Sequence, residues 1–395
     1  MPRPNAPSTA SPVAPRDRIL ALDVLRGIAL LGVLAMNVTT EFRVSIFQRF
    51  LPGQPHASWV DRTIDAVLMI GVDLKALALF SFLFGVGLAI QFEHMGATSR
   101  RMVLLLRRLL VLLVIGLLHL TLIWNGDILV EYALAGLAVL PFLLGSPRLL
   151  AVAAAAGLSL YVAEPLLALS PSLPSQAWMA RQAAEAVHVY GSGGFLEIFA
   201  FRVRELPAIL PLHVGIFPRT LALMLLGILG WRSGLFLTKD VTGRQLVWAA
   251  AVCSFLGGGM AIAAASHGLG AGALRWMAER ASTVVLATGY GAGVIWAASQ
   301  APAARWLAWA APVGRMALTN YLMQSMIFGC IFYGYGLGLF GRLGIAEALA
   351  IGIGVYGAQA VLSAWWLKRH PFGPMEWIWR TATYAARPTP HRPEN

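Results

Sequence analysis

The stretch Arg101-Met102-Val103-Leu104-Leu105-Leu106-Arg107-Arg108-Leu109-Leu110-Val111-Leu112-Leu113-Val114-Ile115-Gly116-Leu117-Leu118-His119-Leu120-Thr121-Leu122-Ile123-Trp124 decides the fold class. A helix needs about 20 mostly apolar residues to cross a bilayer at ~1.5 Å rise per residue. The run from 103 to 124 meets that length, with arginines at one end and a histidine near the other. Its apolar residues are continuous, not alternating, which argues against a transmembrane barrel. Similar windows recur at 19–40, 64–92, 128–145, 149–169, 206–231, 244–266, 281–300, 315–337 and 344–367. The chain of 395 residues is 58% hydrophobic and only 12% charged, about half the charge of a soluble domain. The reading is an all-α, polytopic integral membrane helix bundle with about ten transmembrane helices and both termini cytoplasmic.

The net charge of +12 could suggest a nucleic-acid partner, but its distribution argues against one. With the N-terminus inside, the inner side carries Arg3, Arg16, Arg18, Arg100, Arg101, Arg107, Arg108, Arg148, Arg232, Lys239, Arg244, Arg305, Arg315, Lys368, Arg369, Arg380, Arg387 and Arg392, about twice the outer number. That bias is the positive-inside rule, so the basic balance reports topology and contact with anionic lipid. Cys253 and Cys330 both fall in apolar spans and give neither a disulfide framework nor a metal spacing. The first apolar run holds Asp23 and Arg26 and reads as a retained helix.

The chain divides into a polar tail at 1–18, one transmembrane domain at 19–367 and a cytoplasmic tail at 368–395. Outer segments at 41–62 and 170–205 are longer than the other connections. Residues 176–188 predict an interfacial helix, and 371–380, with Trp377 and Trp379, predict a second interfacial segment too short to span. No internal repeat supports an inverted-repeat transporter.

Ionisable groups inside spans are costly and mark candidate sites, helix–helix contacts being the alternative for each. Asp23, Arg26 and Asn37 share one face of the first span, with Arg26 and Asn37 roughly 16 Å apart along it. Asp73 and Lys75 point to opposite sides of the second span, so each needs a partner elsewhere. Small residues in Phe80-Ser81-Phe82-Leu83-Phe84-Gly85-Val86-Gly87 suit close helix packing. The strongest constellation is His119, Asn125, Asp127 and Glu131. Asn125-Gly126 predicts a tight turn, Asp127 and Glu131 fall at i and i+4, and a carboxylate can orient a histidine for general-base work. In the ninth span Asn320 and Gln324 share a face, with Arg315 nearly opposite.

Arg18-Ile19-Leu20-Ala21-Leu22-Asp23-Val24-Leu25-Arg26-Gly27, followed by Asn37, resembles the opening motif of bacterial YeiB-like proteins. The 314–325 run and Gly373-Pro374-Met375-Glu376-Trp377-Ile378-Trp379-Arg380 resemble the C-terminal module of that family, domain of unknown function 418, placed here at about 230–390. The His119–Tyr132 stretch is similar too, so the resemblance spans nearly the whole chain. The opening motif is also similar to that of transmembrane acyltransferases, including the lysosomal heparan-glucosaminide N-acetyltransferase. That group moves an acyl group from cytosolic acyl-CoA to an acceptor across the membrane through a membrane-embedded histidine.

The resemblance implies a bacterial inner-membrane acyltransferase using acyl-CoA or acetyl-CoA, with no metal. It implies His119 as base, with Asp127 or Glu131 orienting it, and Arg26, Arg100, Arg101, Arg107, Arg108 and Arg315 at the CoA phosphates. Asp23, Asn37, Asp73, Lys75, Asn125, Asn320 and Gln324 would line a polar passage. The partners expected are the bilayer and a small-molecule, glycan or lipid acceptor, without nucleic acid, and the chain could form a homodimer. A transporter or channel for a polar solute, or a structural or sensory protein, is the alternative. A passage leading from the arginines to His119 favours transfer, and polar side chains all paired with one another favour the structural reading.

Overall fold

The computed structural model describes residues 20–51, 58–96, 100–167, 173–235, 243–266 and 272–384. The N-terminal tail with Arg3, Arg16 and Arg18, residues 385–395 with Arg387 and Arg392, and Lys239 lie outside these residues. The described residues form helices α1 (Leu20–Asn37), α2 (Trp59–Gly71), α3 (Lys75–His94), α4 (Arg101–Leu118), α5 (Leu129–Val139), α6 (Pro147–Leu167), α7 (Gln176–Ser192), α8 (Phe195–Arg232), α9 (Gly243–Ala265), α10 (Ala273–Ser299), α11 (Ala301–Leu307), α12 (Ala310–Arg315), α13 (Ala317–Phe332), α14 (Ile345–Leu367) and α15 (Pro374–Tyr384). Among them there is no strand.

Among the described residues eight helical segments are long and apolar enough to cross a membrane, and two shorter apolar ones, Leu129–Leu144 and Ala317–Phe332, complete the ten windows read from the sequence. The protein is a multi-pass membrane bundle. Its all-helical form has a physical cause: in hydrocarbon each backbone N–H and C=O must be satisfied within its own segment.

α1 is the central post, touching α3, α10, α12, α13 and α14. Close approach depends on small residues. A Cβ on Gly27 would strike the Ala310 carbonyl of α12, and one on Gly314 would strike the Asp23 carbonyl of α1. The expected packing role of 80–87 holds: Gly85 lies against the Met224 backbone of α8, and Gly227 lies against the Phe82 carbonyl. By contrast α6, α9 and α14 turn many large apolar side chains outward, among them Val152, Phe255 and Val361, as lipid-facing helices do.

Several boundaries differ from those read in the sequence. The window at 64–92 is two helices, because the chain breaks at 72–74, where Leu74 takes a left-handed conformation (φ 59°). The ninth window breaks at Met316, between α12 and α13. α8 begins at Phe195 rather than near 206 and runs for 38 residues through Pro207, Pro211 and Pro218. Proline is tolerated there because neighbouring helices support the freed backbone groups, and α8 packs on α3, α5 and α6. The predicted helix at 176–188 extends to Ser192, and its apolar side (Met179, Ala183, Ala186, Val189) is buried. The second predicted interfacial segment becomes α15, which packs on α4 and α13.

Candidate functional site

Two cavities lie along α1, one at each end. The first has a volume of about 320 Å³ and is walled by Asp23, Arg26, Arg108, Arg315, Glu376 and Arg380, with Phe80, Phe84, Tyr132 and Trp379 above them. Arg26 pairs with Asp23 at 2.7 Å, as their three-residue spacing predicts. Arg108 stacks on Trp379, its guanidinium carbon 3.4 Å from the ring centre, and the Trp379 indole N–H donates to the Arg108 carbonyl at 2.8 Å. Glu376 accepts the amides of Leu318 (2.9 Å) and Thr319 (3.1 Å) and the Thr319 hydroxyl (2.5 Å). It thereby caps α13 from a distant helix, satisfying amides that begin a helix without an internal partner. Burial raises the Glu376 carboxyl above its ordinary range and lowers the Arg380 guanidinium below its own. The buried Nε of Arg315 has no hydrogen-bond partner among the described residues.

The second cavity, about 220 Å³, is lined by Asn37, Glu41, Arg49, Asp73, His213, Glu279 and Arg280, with Tyr161 and Trp276. Arg49 binds Asp73 at 2.7 Å, and that carboxylate raises the arginine's pKa. Arg280 pairs with Glu164 at 2.6 Å. The His213 Nδ1 lies 3.0 Å from one Glu131 oxygen, and the Thr220 hydroxyl donates to the other at 2.5 Å. The His213 side chain is 29% exposed. Glu41 sits over Gly126, where any side chain would strike its carboxylate or the Trp124 ring.

Val33, Leu77, Ile128 and Tyr321 line both cavities and form the septum between them. Behind Tyr321 lies the expected histidine–carboxylate pair. His119 is 1% exposed, and its Nδ1 is 2.7 Å from the Asp127 carboxylate. The other Asp127 oxygen accepts the Val130 amide at 2.8 Å and so caps α5. The His119 Nε2 has no hydrogen-bond partner among the described residues. Two π-helical turns flank this region, Val38–Phe42 after α1 and His119–Ile123 after α4. Such turns recur at functional sites because the extra residue re-aims side chains. The stacked rings of Phe42 and Trp124, 4.7 Å apart, tie the two turns together.

The predicted residues therefore separate into groups. Arg26, Arg108, Arg315 and Asp23 reach the first cavity, and Asn37 and Asp73 reach the second. Arg100, Arg101 and Arg107 reach neither; Arg101 instead covers the Phe92 ring at 4.0 Å. His119 also lines neither, since Tyr321 stands in front of it, so the expected passage from the arginines to His119 is not formed among the described residues, and the histidine that a cavity does reach is His213. Asp127 and Glu131 do not share one helical face: Asp127 precedes α5, so only Glu131 follows helical geometry, and it meets a different histidine. Lys75 binds the Met69 carbonyl at 3.1 Å across the break between α2 and α3. Asn125 donates to Glu205 at 2.9 Å. Asn320 bonds Ser363 at 3.0 Å and Gln324 bonds Gln359 at 2.8 Å, so both join α13 to α14. The sequence reading passed over Glu41, His213, Tyr321 and Arg49, and it did not assign Glu376 or Arg380 to a cavity. His213 was within reach of the intramembrane-ionisable rule, since it falls inside the window at 206–231.

Comparison with known proteins bears on this arrangement. The family described as "Protein of unknown function (DUF418)" matches residues 230–386. "Uncharacterized protein YxaH" of Bacillus subtilis (strain 168) is 32% identical over 95% of this chain and 97% of its own length. "Uncharacterized protein YeiB" of Escherichia coli (strain K12) is 30% identical over 94% of this chain and 97% of its own. The chain belongs to the YeiB-like family. In this YeiB-like protein the matched C-terminal region contributes Arg315, Tyr321, Glu376 and Arg380, whereas Arg26, Arg108, Glu131 and His213 come from the preceding part. Both cavities thus draw their walls from both parts of the chain.

Proposed function

We propose that this protein is a bacterial inner-membrane acyltransferase. It takes an acyl group from acyl-CoA in the first cavity and passes it across the septum to an acceptor in the second. The observation that carries the reading is the placing of the two cavities. One combines arginines at its mouth with a long aromatic wall, which suits an anionic head and an extended apolar arm. The other, beyond the four-residue septum, holds a solvent-accessible histidine paired with a carboxylate, a general-base arrangement. The arginine-rich end also carries Arg100, Arg101 and Arg107, so the positive-inside rule puts it, with both tails, in the cytoplasm.

Arg26, Arg108, Arg315 and Arg380 hold the phosphates of the donor, and the thioester reaches the septum. His213, held by Glu131, accepts the acceptor's proton. His119 and Asp127 form a positioning pair behind Tyr321. The acceptor is a small molecule, glycan or lipid head that can enter the second cavity.

Purified protein in proteoliposomes, given isotope-labelled acetyl-CoA at the arginine side and a panel of amines and polyols at the other, tests this. Release of CoA thiol with label on an acceptor, both lost in Arg108→Gln, is the expected result. A second reading, transport of an anionic solute, is favoured by the same two cavities meeting end to end. It predicts passage of an unaltered solute with no thiol released.

A further inference from the structure

Tyr321 occupies a position that neither histidine–carboxylate pair explains. It is one of four residues lining both cavities, and the other three, Val33, Leu77 and Ile128, have apolar side chains. Its phenol is therefore the polar side-chain group at the junction. The Tyr321 residue is 5% exposed. Its oxygen accepts the Ile128 amide at 3.3 Å. The hydroxyl proton has no acceptor among the hydrogen bonds of the described residues. A buried phenol that accepts one bond and donates none is a donor in waiting, because leaving a buried donor unpaired is costly.

The surroundings hold that donor in place. The ring lies against His119, with centroids 5.3 Å apart. His119 is itself fixed by Asp127, and the Ile128 amide directly follows that carboxylate in the chain. Tyr321 also stands one turn into α13, whose first amides are capped by Glu376. Hence the phenol is anchored on its oxygen, on its ring face and through its helix. A catalytic hydrogen-bond donor works by such preorganisation, since it then needs no rearrangement when charge develops.

We infer that Tyr321 is a catalytic residue that donates its O–H to the carbonyl oxygen of the acyl thioester at the junction of the two cavities. This rests on the acyl-transfer reading and names the group that stabilises its transition state. The acceptor's nitrogen or oxygen attacks the thioester carbon from the second cavity and a new C–N or C–O bond forms. The carbonyl π electrons move onto the oxygen, where the Tyr321 O–H holds the negative charge. Collapse re-forms the carbonyl and breaks the C–S bond, and the CoA thiolate leaves toward the first cavity. His213 then releases the acceptor's proton to water on the second-cavity side and the thiolate takes one from water on the first-cavity side, so the net exchange is one acyl group and one proton in opposite directions. Tyr321 keeps its own proton throughout.

Tyr321→Phe keeps the ring, the septum and the contact with His119 but also removes the acceptor of the Ile128 amide, so a readout at the substrate carbonyl is needed beside activity to separate this role from a structural one. The expected result is a fall in kcat of about 100-fold, with KM for acetyl-CoA little changed, as for removal of one oxyanion donor. A second readout does not depend on turnover: the infrared carbonyl stretch of isotopically labelled acetyl-CoA bound to the protein. The wild type should shift it to lower frequency, and Tyr321→Phe should return it toward the value in solution. Two outcomes overturn the assignment alone: a Phe variant with kcat within twofold of a transferring wild type, or the same carbonyl frequency in both proteins. A wild type that neither binds acetyl-CoA nor releases thiol overturns the transfer reading, and this assignment with it.

Discussion

The His119 Nδ1 lies 2.7 Å from the Asp127 carboxylate, and both residues are about 1% exposed. The pair bridges the end of α4 and the start of α5 across the Asn125-Gly126 turn. Asp127 serves two partners, since its second oxygen caps α5 at Val130. Replacing it by Ala removes a charge-assisted bond and a cap together. Thermal unfolding in detergent should show Asp127→Ala destabilised by about 2–4 kcal/mol, the sum of roughly 1.5–3 for the bond to a charged group and up to about 1 for the cap. Asp127→Asn, which can still cap, should lose less. Equal losses for the two variants would mean that the cap contributes nothing.

Glu376 holds α15 against the first turn of α13 through three hydrogen bonds. Glu376→Ala should loosen α15, which is otherwise tied by the Met375 amide donating to the Thr319 hydroxyl at 3.0 Å, by the indole of Trp379 and by Arg108. The expected outcome is faster proteolysis near 374–384 and at least tenfold weaker binding of acetyl-CoA, with the bundle still folded. Glu376→Gln keeps an acceptor oxygen and should fall between the two. Unchanged proteolysis in the Ala variant would show that the Met375–Thr319 bond and the aromatic contacts suffice to hold α15.

The crossing of α1 and α12 depends on Gly27 and Gly314, each packed on a carbonyl of the other helix. Backbone carbonyls cannot swing aside as a flexible side chain can, so a larger residue must separate the helices. Gly27→Leu should destabilise the protein by about 1–3 kcal/mol or more, as overpacked cores do. It should also lower the yield of monodisperse protein in size-exclusion chromatography. Gly87, beside which a Cβ meets nothing, should accept Ala at a cost no larger than a few tenths of a kcal/mol.

Sequence alone carried most of the membrane fold, because hydrocarbon length and backbone satisfaction leave few options. Its windows include the two short segments, at 128–145 and 315–337, that composition by itself marks less strongly. It missed the breaks at Leu74 and Met316, since apolar runs do not reveal where a helix stops inside the bundle. The His119–Asp127 pair was readable because the turn at Asn125-Gly126 folds near neighbours together. The Glu131–His213 pair was not, because it joins residues 82 apart in sequence through packing of α5 on α8. For the same reason Asn320 and Gln324 could not be separated in advance from site residues. Their partners, Ser363 and Gln359, lie on a helix whose register the sequence does not give.

Charge gives the orientation to be tested. Cysteine labelling with a membrane-impermeant reagent, on a background lacking Cys253 and Cys330, should modify position 182 but not position 100 in intact cells. The motive is the excess of Lys and Arg at the end of the bundle holding Arg26, Arg108 and Arg315. Position 182 is in α7, whose Gln182 side chain reaches Glu205 at 3.2 Å, so neighbouring exposed positions such as 181 serve as controls. Labelling at 100 and not at 182 or 181 would invert the protein and move the arginine cavity to the outside.

The two histidines separate by what they touch. His213 opens on the second cavity and is held by Glu131, whereas His119 is enclosed behind Tyr321. If His213 is the base, His213→Gln should lower kcat by about 100- to 10,000-fold, the range of general acid–base catalysis, with acetyl-CoA binding intact. His119→Gln should act in a different measure. A glutamine can still donate one bond to Asp127, so its effect on kcat should be smaller and should come with a loss of thermal stability. Joining it to Tyr321→Phe should add little beyond the larger single loss, because the ring of one positions the other and residues that act as a unit are not additive. The combination His213→Gln with Tyr321→Phe should be no worse than the product of the two single effects. A His119→Gln variant that loses kcat fully while keeping its stability, beside an active His213→Gln variant, would move the base to His119. Tyr321 would then have to swing aside during each turnover.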